Sequence, residues 1–248
     1  MATPILAGLL VFVFTSVLTI AGAGSAFIVI PTLYWLSTPL TEAMAVGLLL
    51  NTIGMTVASV SFARHRLIAY RTAVPVVLLA VVFSPLGARA AQVAPRTVLL
   101  ALFVVFLVFA GAMMVLYRPR SGGRRFTPAV ETVIGAGLGV GAGFLGGLLG
   151  VGGGNFIVPT LVWLGFDPKR ASATTAFIVV FSSFAGFLGH ASVGDVSWRL
   201  LAWCAAGSAA GALLGSALLT RMPSAKVKKV IGLVLLAIAV KMAWGLLH

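Results

Sequence analysis

The sequence predicts an all-α, polytopic membrane protein made of two inverted repeats, each of about five apolar segments, with roughly eight to ten membrane segments in all. Three observations carry that expectation. Hydrophobic residues make up 60% of the 248-residue chain against 8% charged. Mean hydropathy is +1.15, more apolar material than a soluble domain of this length needs. The chain also repeats itself: Gly22, Gly24, Pro31, Thr32, Leu33 and Trp35 return 128 residues later as Gly150, Gly152, Pro159, Thr160, Leu161 and Trp163. The register holds without a gap beyond this motif, since Ala43 falls on Ala171, Arg71 on Arg199, Gly87 on Gly215 and Pro95 on Pro223.

The third observation is charge. Suppose the first two segments of each half form one hairpin unit, so that each half crosses an odd number of times and the second is inverted. One side of the membrane then receives Arg89, Arg96, Arg199 and Lys241, and the other receives the remaining 13 of the 17 lysines and arginines. Parallel repeats would split the same residues 9 to 8. Basic residues gather on the cytoplasmic side, so the inverted arrangement is expected, with both termini outside the cytoplasm.

The apolar segments follow in order. In the first half they run 4–21, 25–36, 42–63, 70–91 and 96–117. In the second they run 130–149, 154–164, 170–190, 198–220 and 227–247. Residues 1–117 form the first repeat, 118–128 a cytoplasmic linker rich in Arg, Gly and Pro, and 129–248 the second repeat. Thr127 and Pro128 read as the N-cap and first turn of a helix. The second segment of each half is too short to span and follows a glycine cluster, which suits a half-helix. Met1-Ala2-Thr3-Pro4 lacks a basic leader region, so the first segment is expected to be retained. Gly207, Gly211 and Gly215 recur every four residues, and Gly135, Gly137, Gly139, Gly141 and Gly143 crowd another segment. Such smooth faces allow close helix packing in lipid. Cys204 stands alone in an apolar stretch and reads as a small buried hydrophobe.

The net charge of +13 would suggest nucleic acid in a soluble protein. Here the cations sit at segment ends, where they set orientation and meet lipid headgroups, and no aromatic–basic interleaving supports nucleic-acid binding. The four carboxylates, Glu42, Glu131, Asp167 and Asp195, fall at segment ends as caps or loop residues, so no buried acid suggests a proton pump. No nucleophile motif, metal-ligand spacing or cofactor fingerprint appears, so no enzymatic activity, metal or cofactor is expected.

Glycines at a helix start expose unpaired N–H groups, and the helix dipole adds about half a positive charge there. That combination binds anions without a buried charged side chain. Gly152, Gly153, Gly154 and Asn155, with Gly24 and Ser25 in the first repeat, are therefore the candidate anion-binding residues. Asn51 joins them as the polar amide deep in the first half, on a face that Gly47 is expected to leave open. Thr175, the positional match of Gly47, joins from the second half, where Ser172, Thr174, Ser182 and Ser183 are also available. Pro31 and Pro159 each free a helix carbonyl and are candidate hinges, with Thr32 and Thr160 able to bond it or line the site. His190 is a candidate proton or substrate contact, and His65 a solvated loop residue.

The duplicated G-x-G-G-G-x-x-x-x-P-x-L pattern, from Gly150 to Leu161 with a looser copy from Gly22 to Leu33, resembles the sulfite exporter TauE/SafE family over essentially the whole chain. That resemblance implies an inner-membrane permease for a small sulfur-containing or organic anion, sulfite or a sulfonate foremost. The loose first copy, with Ala23, Ser25 and Ala26, implies that the second copy holds the anion more tightly. The expected function is export of such an anion by alternating access. The rivals are a channel-like anion conduit and a non-transporting membrane assembly partner. Expected partners are the anion, membrane lipids and, as an open alternative, a second copy of the chain in a homodimer.

Overall fold

The computed structural model describes residues 2–20, 39–116, 128–190 and 198–223 continuously. It also describes residues 22, 24–26, 29, 30, 33, 226, 229, 230, 232, 233, 236, 237, 239, 240, 243 and 244. The linker at 118–127, Pro31, Thr32 and Asp195 lie outside the described residues, as do the side chains of Glu131 and Asn155.

Eight labelled helices carry the described fold. They are α1 (Ala2–Ile20), α2 (Leu40–Arg64), α3 (Tyr70–Val93), α4 (Arg96–Leu116), α5 (Pro128–Leu148), α6 (Gly154–Trp163), α7 (Pro168–His190) and α8 (Trp198–Arg221). Residues 26, 29, 30 and 33 are also helical and match α6 across the repeat. α2, α3, α7 and α8 each contain a stretch long and apolar enough to cross a membrane. They form two equivalent pairs, α2 with α7 and α3 with α8. α6, at 10 residues, is a half-helix. Local signals set the helix starts: at α7 the Asp167 carboxylate accepts from the Lys169 N–H at 3.0 Å, and Pro168 opens the first turn.

The two halves are interleaved. α1 packs chiefly on α8, and α3 on α5. These interfaces are equivalents, because α5 repeats α1 and α8 repeats α3. α2 and α7 pack on each other at the centre, α2 also on α8 and α7 also on α3. Contacts give the directions. On α8, Gly207, Gly211 and Gly215 sit against the carbonyls of Gly8, Phe12 and Ser16, so α1 and α8 run parallel. On α5, Gly139, Gly143 and Gly147 meet Val76, Ala80 and Ser84, so α3 and α5 also run parallel.

The central pair differs. Leu48 meets Gly186, Asn51 meets Ser183, and the Ala69 N–H, beyond the end of α2, reaches Thr174 Oγ1 at 3.0 Å. Rising numbers on α2 thus pair with falling numbers on α7, and the two equivalent helices cross antiparallel. Equivalent helices that cross antiparallel are related by an axis perpendicular to them, which is the geometry of an inverted repeat. Lys169 Nζ donates to the Thr220 carbonyl at 3.1 Å, placing the start of α7 beside the end of α8. α1, α2 and α8 therefore share one direction.

The outward surface is apolar. Val74, Leu78, Val82 and Leu86 expose a stripe along α3, as suits a helix facing lipid. Cys204 is buried. The glycines of α5 do not all serve packing. A Cβ at Gly139 or Gly143 would meet α3, whereas one at Gly137 or Gly141 would meet nothing within 4 Å.

Candidate functional site

The two glycine clusters form matched hinges. Gly22 and Gly150 have φ of 66° and 71°, and Gly24 and Gly152 have φ of 72° and 71°. The Gly22 N–H bonds the Thr19 carbonyl at 3.0 Å, and the Gly150 N–H bonds that of Gly147 at 3.3 Å. Each hinge then launches a half-helix with an equivalent bond, from the Val29 N–H to the Ser25 carbonyl in one and from the Ile157 N–H to the Gly153 carbonyl in the other. The hinges differ in sequence at Ala23/Val151, Ser25/Gly153 and Ala26/Gly154. Gly153 is left-handed at φ 80° as the N-cap of α6, where the first repeat has Ser25.

Both hinges close on the crossing of α2 and α7. Asn51 is fully buried there, and its Nδ2 donates to Ser183 Oγ at 3.0 Å. Its Oδ1 has no hydrogen-bond partner among the described residues. A Cβ on Gly24 would fall on Asn51 Oδ1; one on Gly152 would strike Ser183 Oγ and lie 3.1 Å from Asn51 Nδ2. Backbone handedness and space thus both demand glycine at Gly24 and Gly152. A half-turn of the Asn51 amide exchanges its oxygen and nitrogen, so Asn51 can offer the hinge either a donor or an acceptor while the Ser183 hydroxyl adapts.

Serines fasten each hinge. Ser182 Oγ donates to the Gly152 carbonyl at 2.7 Å, and Ser84 Oγ donates to the Ser182 carbonyl at 2.8 Å. On the other side Ser208 Oγ donates to the Leu50 carbonyl at 2.9 Å and lies 3.4 Å from Ser25 Oγ. The N–H groups of Gly154 and Asn155 stand ahead of the first backbone bond of α6, where a helix offers free donors and the positive end of its dipole. Such an end attracts negative charge.

The geometry gathers Gly24, Asn51, Gly152 and the start of α6 at Gly154. Gly153 turns elsewhere: a Cβ there would strike the Ala142 carbonyl, so its face seats the hinge on α5. Thr175 lies eight residues before Ser183, about 12 Å along α7. Its buried Oγ1 has no hydrogen-bond partner among the described residues. The face beside Asn51 is not open at Gly47, where a Cβ would meet Ile30 Cγ1 at 2.8 Å. Pro159 is buried inside α6, and Thr160 Oγ1 donates to the Phe156 carbonyl at 2.7 Å rather than to the Asn155 carbonyl that Pro159 frees. His190 is buried, its Nε2 3.1 Å from the Gly147 carbonyl, where it ties the end of α7 to the base of the second hinge. Ser182 and Ser183, available from the sequence but not placed among the anion-binding residues, complete the cluster together with Ser208, which the sequence did not single out.

The comparisons with known proteins point to a membrane transporter. The family model described as sulfite exporter TauE/SafE matches residues 6–242. A "Probable membrane transporter protein YunE" of Bacillus subtilis (strain 168) is 25% identical, covering 91% of this chain and 92% of its own length. A "Probable membrane transporter protein ORF9" of Sinorhizobium sp is 30% identical, covering 92% of this chain and 86% of its own length. A shorter match, 42% identical over 69 residues, is to "Sulfite exporter TauE/SafE family protein 1" of Arabidopsis thaliana. No solved structure matches the chain. A family match over nearly the whole chain, on an all-α polytopic fold, establishes a membrane transporter: the chain belongs to the sulfite exporter TauE/SafE family.

Proposed function

We propose that the protein exports a small sulfur-containing anion, sulfite or an organosulfonate, across an inner membrane by alternating access. The observation that carries this reading is the convergence of both glycine hinges on the buried amide of Asn51, next to the N-terminus of α6. Neutral donors suit an anion that must leave again, because a buried lysine or arginine would be costly and would hold it too strongly. The anion sits between Gly24, Asn51 and Gly152, with the N–H groups of Gly154 and Asn155 as donors. Ser25 and Gly153 shape the two hinges, and Pro159 lets α6 flex. Thr160, Thr175 and His190 are assigned to the route rather than to the anion. The chain acts as a carrier and has no enzymatic role.

Direction follows from the potential. An inside-negative membrane favours anion exit by about 2.3 kcal/mol per charge at 100 mV, so export needs no coupling ion. A thermal-shift screen of the purified chain against sulfite, thiosulfate, sulfate, sulfonates and small carboxylates tests the substrate class. Stabilisation by at least one sulfur oxyanion is expected; stabilisation by carboxylates alone would contradict it. Both termini lie outside the cytoplasm in this reading, on the strength of the arginine bias. A reporter fused after His248 should give a periplasmic signal, and a cytoplasmic signal would reverse the orientation.

A further inference from the structure

A groove of about 220 Å³ opens beside the central crossing, between the C-terminal half of α2 and the middle of α7. Val60, Ala63, Ile68, Tyr70, Phe177 and Phe181 line it. Phe177 stacks edge-on with both Tyr70 and Phe181, at centroid distances of 5.4 Å and 5.2 Å. Thr56, also in the wall, turns its hydroxyl to the Thr52 carbonyl at 2.7 Å, which leaves a carbon surface. Val60, Tyr70 and Phe181 remain 50%, 49% and 41% exposed, so the groove opens toward the bilayer.

Its mouth is basic. Arg64, Arg66 and Arg71 are all exposed and lie within two residues of groove residues Ala63, Ile68 and Tyr70. Arg66 is also the one non-glycine residue with positive φ among the described residues, at 54°. A glycine would occupy that C-terminal turn without strain, whereas any other side chain is disfavoured there. The equivalent positions of the second half, Ser192 to Arg199, hold one arginine, Arg199, and one aspartate, Asp195, in sequence. The basic mouth is therefore a property of one repeat and not of the duplication.

We propose that this groove binds an anionic phospholipid, with an acyl chain along the α2–α7 wall and the phosphate at Arg64, Arg66 and Arg71. The charge of the mouth selects the headgroup, since each basic residue near an anionic lipid surface adds appreciably to binding. The lipid seats against both central helices, α2 of one half and α7 of the other, so it bears on the crossing itself. Arginine at position 66 gives up backbone ease for a cation at the mouth.

The test uses the full chain, delipidated in detergent and titrated with phosphatidylglycerol or phosphatidylcholine of identical acyl chains, with retention read by native mass spectrometry. Preferential retention of phosphatidylglycerol is expected. Arg66→Gly should melt no earlier than the wild type, because it relieves the turn, yet bind phosphatidylglycerol about fivefold more weakly. Val60→Trp, which fills the groove from its exposed side, should lower retention of the same lipid while leaving the arginines in place. Equal retention of the two lipids would overturn the proposal, as would wild-type affinity in Arg66→Gly or in Val60→Trp. Competition by inorganic phosphate at the potency of the lipid would overturn it too, by exposing a simple anion site.

Discussion

Gly211→Leu is expected to leave little folded protein. Gly211 faces α1 at the middle of their contact, where a Cβ would lie 2.5 Å from the Phe12 carbonyl and 2.9 Å from Thr15 Cβ. The obstacle is backbone, which cannot rotate aside, and the neighbouring glycines at 207 and 215 hold the same close spacing one turn away on each side. Helices in lipid gain little from hydrophobic burial and rely on close packing, so pushing α1 away has no compensation. Overpacking a tight contact costs about 3 kcal/mol, a large share of a stability of about 5–15 kcal/mol. Recovery of monodisperse protein and its thermal unfolding in detergent measure the effect. Gly137→Leu is the control: nothing lies within 4 Å of its Cβ position, and wild-type behaviour is expected. Wild-type elution and melting for Gly211→Leu would contradict the account of the α1–α8 interface.

The same contrast shows what could be read from sequence. Helix positions were legible because apolar length, glycine clusters and prolines act locally. The expected 42–63 and 170–190 appear as Leu40–Arg64 and Pro168–His190, and the short segment after the second glycine cluster appears as the half-helix Gly154–Trp163. The interleaving of the halves was not legible, because no local signal says that α1 leaves its own repeat to pack on α8. Nor could sequence separate Gly139, which packs, from Gly137, which does not.

The site was legible in part, and the reason is geometric. Asn51, Gly24 and Gly152 stood out as polar or conformationally special residues, and they meet. Thr175 was chosen because it matches Gly47 in the repeat. In an antiparallel crossing, matching positions lie on opposite sides of the axis, so Gly47 and Thr175 move apart. Residues that meet are those whose displacements cancel, and Asn51 accordingly finds Ser183, whose own match is Met55. Choosing Ser183 required the direction of crossing together with its register. Ser25 was grouped with the anion donors, yet its hydroxyl lies beside Ser208, which in turn holds the Leu50 carbonyl.

The second large effect is expected at Asn51. Asn51→Asp keeps the shape of the side chain, and the Ser183 hydroxyl can donate to the new carboxylate in place of accepting from the amide. The contact between α2 and α7 is therefore preserved. What changes is charge: a carboxylate at the mouth of α6 takes up the donors and dipole that would otherwise attract the anion. A fixed negative charge in a low-dielectric site repels an incoming anion by several kcal/mol, enough to weaken transport about a hundredfold or more. The loss should occur without a change in helical content or elution.

Counterflow of labelled sulfite or sulfonate into proteoliposomes is the direct measurement, comparing the wild type with Asn51→Asp at equal reconstituted amounts. The account predicts saturable counterflow in the wild type and about a hundredfold less in folded Asn51→Asp. Equal counterflow in the two proteins would contradict a substrate site at the hinge crossing. Linear, non-saturable flux in the wild type would replace the carrier with a conduit.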